Sequence, residues 1–141
     1  MSDREVKIDR NLQIELMKQL EQLESSTDLE GTAVISKTGL RIASAAQAST
    51  TADMHSAGPA ALISLGDKLS KGLEYGDLTE IVITGDDGYT IITVGDTTTK
   101  FMLLTHSKKS SKLGYYFHRL RKAYRHLQSI LSSVEISEAF Y

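Results

Sequence analysis

Apolar side chains recur along this chain in two different periods, and the period changes where one element should give way to the next. Over residues 8–23, Ile8, Leu12, Leu16 and Leu23, flanked by Leu20, return at three- to four-residue intervals, the spacing that places side chains on one stripe of a helix. Arg10, Gln13, Lys18, Glu21 and Gln22 fill most of the remaining surface, so an amphipathic helix is predicted. Residues 24–28 (ESSTD) carry turn-forming side chains, and 32–36 (TAVIS) and 40–44 (LRIAS) are short apolar runs on either side of Lys37-Thr38-Gly39. Two such runs around a glycine predict a hairpin.

Residues 45–52 are small and polar, a predicted loop. Met54, Leu62, Leu65, Leu69 and Leu73 then form a second helical stripe that ends at Tyr75-Gly76-Asp77. Pro59 interrupts it. A proline inside a helix costs about 3 kcal/mol, so either the helix starts at Pro59, or it kinks there and residues 54–57 form a preceding turn. Three β-rich runs follow at 79–84 (TEIVIT), 89–94 (YTIITV) and 100–105 (KFMLLT). The separators, 85–88 (GDDG) and 95–99 (GDTTT), are short enough to force antiparallel neighbours, hence a three-stranded meander. A last helix is predicted over 111–132, capped by Ser110 or Ser111, with Leu113, Phe117, Leu120, Tyr124, Leu127 and Leu131 on one face. Runs as apolar as 81–83 and 102–104 need cover on both sides of a sheet. The predicted fold is therefore α+β: a three-layer α/β/α sandwich in the order α-β-β-α-β-β-β-α, with helices on both faces of a five-stranded antiparallel sheet.

Length and composition narrow this further. With 141 residues, one core is expected: a single domain over 1–133, including a charged N-terminal segment at 1–8, with a C-terminal tail at 134–141. A 40% hydrophobic, 24% charged chain with one proline excludes collagenous and disordered classes. The absence of cysteine removes disulfides, thiolate metal sites and cysteine nucleophiles, and it fits a reducing cytoplasm. The N-terminus, MSDREVKIDR, has no apolar core of a signal peptide, and no run is long enough to span a membrane.

Candidate chemistry is sparse. His55, His106, His118 and His126 share no close ligand spacing. Asp86-Asp87-Gly88 resembles a fragment of a calcium loop, but it is better explained as a hairpin turn. There is no phosphate-binding glycine loop and no nucleophile elbow, so no metal, cofactor or catalytic residue is expected. Charge is more informative. Residues 1–96 hold 8 Lys/Arg against 16 Asp/Glu, whereas 97–141 hold 8 against 2. The last helix concentrates the bases: Arg119, Arg121, Lys122 and Arg125, with His118 and His126, lie opposite its apolar stripe and are preceded by Lys112. Such a face is either ordinary solvated surface or a site for an acidic protein, a phosphate backbone or an anionic membrane. With Phe117 and Tyr124 assigned to the core, only Tyr115 and Tyr116 remain for base stacking, which disfavours nucleic acid. Membrane contact would be peripheral at most. Ile14 and Met17 fall off the first helix's stripe and are candidates for exposed apolar contacts. Arg41 lies near the hairpin, with only its charge to suggest a finger in a partner's site.

The runs 31–44 (GTAVISKTGLRIAS), 76–83 (GDLTEIVI) and 88–95 (GYTIITVG), the small-residue helix 57–73 and Lys112-Leu113-Gly114-Tyr115 with its following helix together resemble the Roadblock family, related to dynein light chains, over roughly residues 12–131. The resemblance implies a non-catalytic dimerising module. In that family the third strands of two subunits pair edge to edge into a ten-stranded sheet, and the second helices pack side by side. Usual partners are small Ras-like GTPases, which such proteins scaffold or regulate, or other Roadblock or longin-type modules. For this chain it implies a homodimer, and the cysteine-free composition sets the expected location as cytoplasmic.

The residues offer their own support. Ala57, Ala61, Ser64 and Lys68 form a strip beside the leucine stripe, and three of the four are small enough to let another helix approach. The strand carrying Glu80, Ile81, Val82, Ile83 and Thr84 lacks proline and would be a bare edge in a monomer. The alternative is a basic-faced adaptor that binds nucleic acid or anionic membrane through its last helix.

Overall fold

A computed structural model describes residues 10–27, 29–45, 57–95, 100–108 and 113–131. Its elements are α1 (Arg10–Ser25), β1 (Gly31–Ser36), β2 (Arg41–Ser44), α2 (Ala57–Gly72), β3 (Glu80–Thr84), β4 (Gly88–Thr93), β5 (Phe101–Lys108) and α3 (Leu113–Leu131). This is the predicted order. The strands form one antiparallel sheet in the order β2-β1-β5-β4-β3, so the hairpin and the meander join through β1 and β5. That central pair runs in register from Gly31 opposite His106 to Ser36 opposite Phe101.

Alternation along the strands divides the core in two. Val34, Ile91 and Leu103 face one side, where they meet Leu16, Leu20 and Leu23 of α1 and Tyr116, Leu120, Tyr124, Leu127 and Leu131 of α3. Ala33, Ile35, Ile92, Met102 and Leu104 face the other side and meet Ile63 of α2. All six residues of β1 are buried, as a central strand covered on both faces requires. The result is the three-layer sandwich, with α1 and α3 on one face and α2 on the other.

Several local expectations shift. α2 begins at Ala57, two residues before Pro59, so the helix does not start at the proline. Pro59 sits in the first turn, where its missing N–H has no intrahelical acceptor to lose. On α3, Tyr116 and not Phe117 belongs to the buried stripe: Tyr116 is fully enclosed against Tyr89, with ring centroids 6.1 Å apart, while Phe117 is only partly buried at its flank. Met17 packs partly against the core, whereas Ile14 is exposed.

The β4–β5 connection is held by Tyr124, whose hydroxyl lies 2.9 Å from the carbonyl oxygens of both Val94 and Phe101. Its ring stacks on Phe101 at 4.6 Å. Gly95 makes this close approach possible. Its φ is +78°, and a Cβ there would lie 2.4 Å from the Tyr124 ring.

Candidate functional site

α2 carries two apolar faces. The sheet-facing one is built from buried Pro59 and Ile63 with half-buried Ala60 and Gly66, and Gly66 rests against Ile81 and Leu78. The row of Leu62, Leu65 and Leu69, continued by Leu73 just past the helix end, lies to the side of that face, toward β3. Leu65 is 67% exposed and Leu69 62%. A leucine row on a helix is ordinarily its buried side, so this one is unpartnered within the described residues. The helix lies close to the sheet through small side chains and keeps its large ones outside.

Beside this row runs β3, an edge strand of the sheet. The Val94 N–H donates to the Thr79 carbonyl and the Gly85 N–H to the Gly88 carbonyl, at 2.9 and 2.8 Å. By strict alternation, the backbone groups of Ile81 and Ile83 then face β4, and those of Glu80, Val82 and Thr84 point outward. Val82, Ile83 and Thr84 are exposed and Ile81 is half-buried. Between α2 and β3 the surface dips into two apolar clefts. One of about 520 Å³ is lined by Leu62, Leu65, Leu69, Leu73, Tyr75 and Ile81. The other, about 600 Å³, lies by Pro59, Leu62, Ile83, Leu104 and His106.

The turn joining α2 to β3 is pinned. Asp67 Oδ1 accepts from the Leu78 N–H at 3.3 Å, and its Oδ2 pairs with Lys71 Nζ at 2.9 Å. The Lys71 ammonium, and then the Leu78 hydrogen bond, hold the Asp67 carboxyl below its ordinary value. Asp67 in turn holds Lys71 above its own. The Ser70 hydroxyl donates to the Gly76 carbonyl at 2.8 Å, completing the cap.

The residues singled out in the sequence fall around this face. Ala57 opens α2. Ala61, Ser64 and Lys68 are exposed, on the strip of α2 beside the leucine row. Glu80 turns toward α3 and is held by Arg121. The large exposed side chains Leu62, Leu65, Leu69, Leu73 and Tyr75 are the part that attention to small residues missed. Their signal was present: a helix with Pro59, Ile63 and Gly66 at one spacing and four leucines at another has two faces for two neighbours.

The basic residues of α3 do not form one free patch. Arg119 Nη2 donates to Ser26 Oγ at 2.7 Å, and Arg121 is paired with Glu80. His118, Lys122, Arg125 and His126 are exposed. Lys112 and His55 lie outside the described residues. With Tyr116 buried, its assignment as a stacking candidate is corrected. Asp86 and Asp87 are exposed in the β3–β4 turn, and Arg41 is exposed at the start of β2. Among the described residues no three His, Asp or Glu side chains are grouped to hold a metal, and no helix is long and apolar enough to cross a membrane.

A model of the Roadblock/LC7 domain matches residues 16–105. No curated protein matches the sequence. Among solved structures, Myxococcus xanthus MglB aligns at 18% identity over 91% of this chain and 95% of its own, with a TM-score of 0.78. The gliding protein MglB of Thermus thermophilus aligns at 16% identity over 95% and 97%, with 0.71. A Roadblock/LC7 domain from Streptomyces avermitilis aligns at 14% identity over 89% and 99%, with 0.67. At these identities the likeness is one of fold.

Proposed function

Since the chain belongs to the Roadblock/LC7 domain family, we propose that it works as a non-catalytic homodimer, joined through β3 and α2, that binds a small Ras-like GTPase and regulates or scaffolds it. The observation that carries the dimer is the coincidence, on one side of the molecule, of an open strand edge and an unpartnered leucine row. Each alone is a liability: an open edge invites uncontrolled pairing, and a contiguous exposed apolar patch marks an interface. A two-fold axis satisfies both at once.

The outward backbone groups of Glu80, Val82 and Thr84 are symmetric about Val82. An antiparallel β3–β3 pair centred there sets Glu80 of one copy opposite Thr84 of the other and continues the sheet to ten strands. The same axis brings the two leucine rows together. Burying a leucine side chain contributes about 1.5–3 kcal/mol, so a row of this size from each copy is enough to drive association. Ala61, Ser64 and Lys68 sit on the strip of α2 beside that row and would border the contact.

The GTPase reading rests on family membership. Two measurements test it. Light scattering with gel filtration should give twice the 15.5 kDa chain mass at micromolar concentration; a monomer at every concentration rejects the dimer. Binding to a purified Ras-like GTPase from the same genome, loaded with GDP or with a non-hydrolysable GTP analogue, should depend on the nucleotide. Equal or absent binding in both states rejects the regulatory role.

A further inference from the structure

The outward face of α3 stands apart from the proposed dimer surface. α3 (LGYYFHRLRKAYRHLQSIL) contains no acidic residue, whereas α1 mixes Arg10 and Lys18 with Glu15, Glu21 and Glu24, and α2 pairs Lys71 with Asp67. Of the bases on α3, Arg119 is bonded to Ser26 and Arg121 to Glu80. His118, Lys122, Arg125 and His126 remain, all exposed, and their side chains make no hydrogen bond or ion pair among the described residues. Their spacings of three, four and eight residues put them on one strip. Lys122 and Arg125 are like charges three apart, a pairing that destabilises a helix by a few tenths of a kcal/mol, so this arrangement costs stability that a mixed surface would not.

We propose that this strip is a docking surface for an acidic segment of a partner protein. Charge complementarity sets the sign, and the surroundings select the class. A surface helix that enters a membrane buries an apolar face in lipid, but the apolar face of α3 is spent on its own core, and among the described residues none of the exposed large hydrophobic side chains lies on α3. Single-stranded nucleic acid is held by aromatic stacking, yet Tyr116 and Tyr124 are buried, and the Phe117 ring has Arg121 over it at 6.0 Å. A row of carboxylates needs neither lipid insertion nor stacking, only cations at helical intervals.

The test uses the full chain and a fluorescein-labelled decaglutamate peptide. The peptide should bind, and more weakly as salt rises. The double variant Lys122→Glu/Arg125→Glu should weaken binding roughly tenfold or more, with the oligomeric mass and the circular dichroism spectrum unchanged. Lys18→Glu, an equal charge change per site on α1, should leave binding within twofold of the unaltered chain, by the same electrostatic reasoning. If the reversal disturbs folding, Lys122→Ala/Arg125→Ala carries the test with a smaller loss. The proposal is overturned if the peptide does not bind, if Lys18→Glu weakens it as much, or if duplex DNA or phosphatidylserine vesicles bind more tightly and lose that binding in the double variant. None of these outcomes bears on the dimer or on nucleotide-dependent GTPase binding, which are read separately.

Discussion

Arg121 reaches from α3 to the edge strand and holds Glu80, its Nε and Nη2 both donating to Oε1, the former at 3.1 Å. Glu80 is the enclosed partner, 14% exposed against 57% for the arginine. The weight of the contact therefore lies in keeping a shielded carboxylate from standing alone, more than in attraction between solvated charges. Because β3 has β4 as its single strand neighbour among the described residues, this contact is also its tie to the α1/α3 layer.

Arg121→Ala should cost about 1–2 kcal/mol in urea unfolding, with faster amide exchange concentrated at residues 80–84. Lys122→Ala, one position on and exposed, should change stability by less than about 0.5 kcal/mol. Equal effects of the two would mean that the Glu80 contact contributes nothing.

Gly95 and Gly72 should respond to alanine with opposite signs. At Gly95 the backbone is left-handed, and the new Cβ would collide with the Tyr124 ring that braces β4 and β5; strain and overpacking together should cost about 2–4 kcal/mol. At Gly72, the last residue of α2, a Cβ meets nothing within 4 Å. The gain there should be about 0.5–1 kcal/mol from a less flexible unfolded chain. Thermal melts of the two variants decide the signs.

What the sequence made legible was local. Turn length alone forces β3, β4 and β5 into a meander, and the three-to-four spacing of α1 and α3 finds both helices to within a few residues. The pairing of β1 with β5 joins segments about 70 residues apart, and no short-range pattern marks it. The stripe on α3 was drawn one residue off, through Phe117 instead of Tyr116, because an aromatic ring scores as apolar wherever it stands while its neighbours decide which one is enclosed. On α2 the strongest periodicity belongs to the exposed face beside the one seated on the sheet. Pro59, Ile63 and Gly66 seat the helix with less apolar surface than the leucines, so a pattern that counts hydrophobicity points away from the fold and toward the candidate site.

That inversion is testable. Leu65→Glu or Leu69→Glu should leave the stability of the single chain within about 0.5 kcal/mol, since both side chains are already solvated there. Either should shift a dimer toward monomer by at least a hundredfold in dissociation constant, on the order of the 3 kcal/mol needed to bury a charge in place of a leucine. Ile63→Glu, under the helix, should instead unfold the chain. Analytical ultracentrifugation with parallel melts separates the two behaviours.

The Asp67–Lys71 pair gives a pH signature with a defined sign. The folded carboxyl titrates below the ordinary aspartate value of 3.8, so its contribution is fully present above 3.8 and is lost as pH falls through the lower folded value. Lys71 titrates above its ordinary 10.5, and its contribution is lost only as pH rises through that higher value. A carbon-13 carboxyl titration should find the Asp67 midpoint under 3.8, and Lys71→Ala should move it back up, because the lysine is the largest cause of the shift. A midpoint unchanged by Lys71→Ala would assign the shift to the Leu78 N–H instead.

The two edges of the sheet should behave differently when altered, and the difference identifies where copies join. β2 has four residues, a register shift opposite Val34 and Ile35, and an exposed Arg41. One of its carbonyls, that of Ile42, already accepts from Gln13 Nε2 of α1 at 3.1 Å. Shortness, irregularity, charge and a covering side chain are the devices that blunt an edge. β3 is regular along its five residues, its one charge, Glu80, is turned toward α3 and held by Arg121, and Val82 stands at the centre of the outward-facing groups. Proline at an edge position removes an outward N–H without touching the inner ladder, so Val82→Pro should leave the β3–β4 pairing in place and abolish dimerisation. Gln13→Ala should leave the dimer intact while costing about 1 kcal/mol for the lost hydrogen bond. Should Val82→Pro remain dimeric while Gln13→Ala changes the oligomeric mass, the copies join through β2, and the leucine row of α2 must serve another partner.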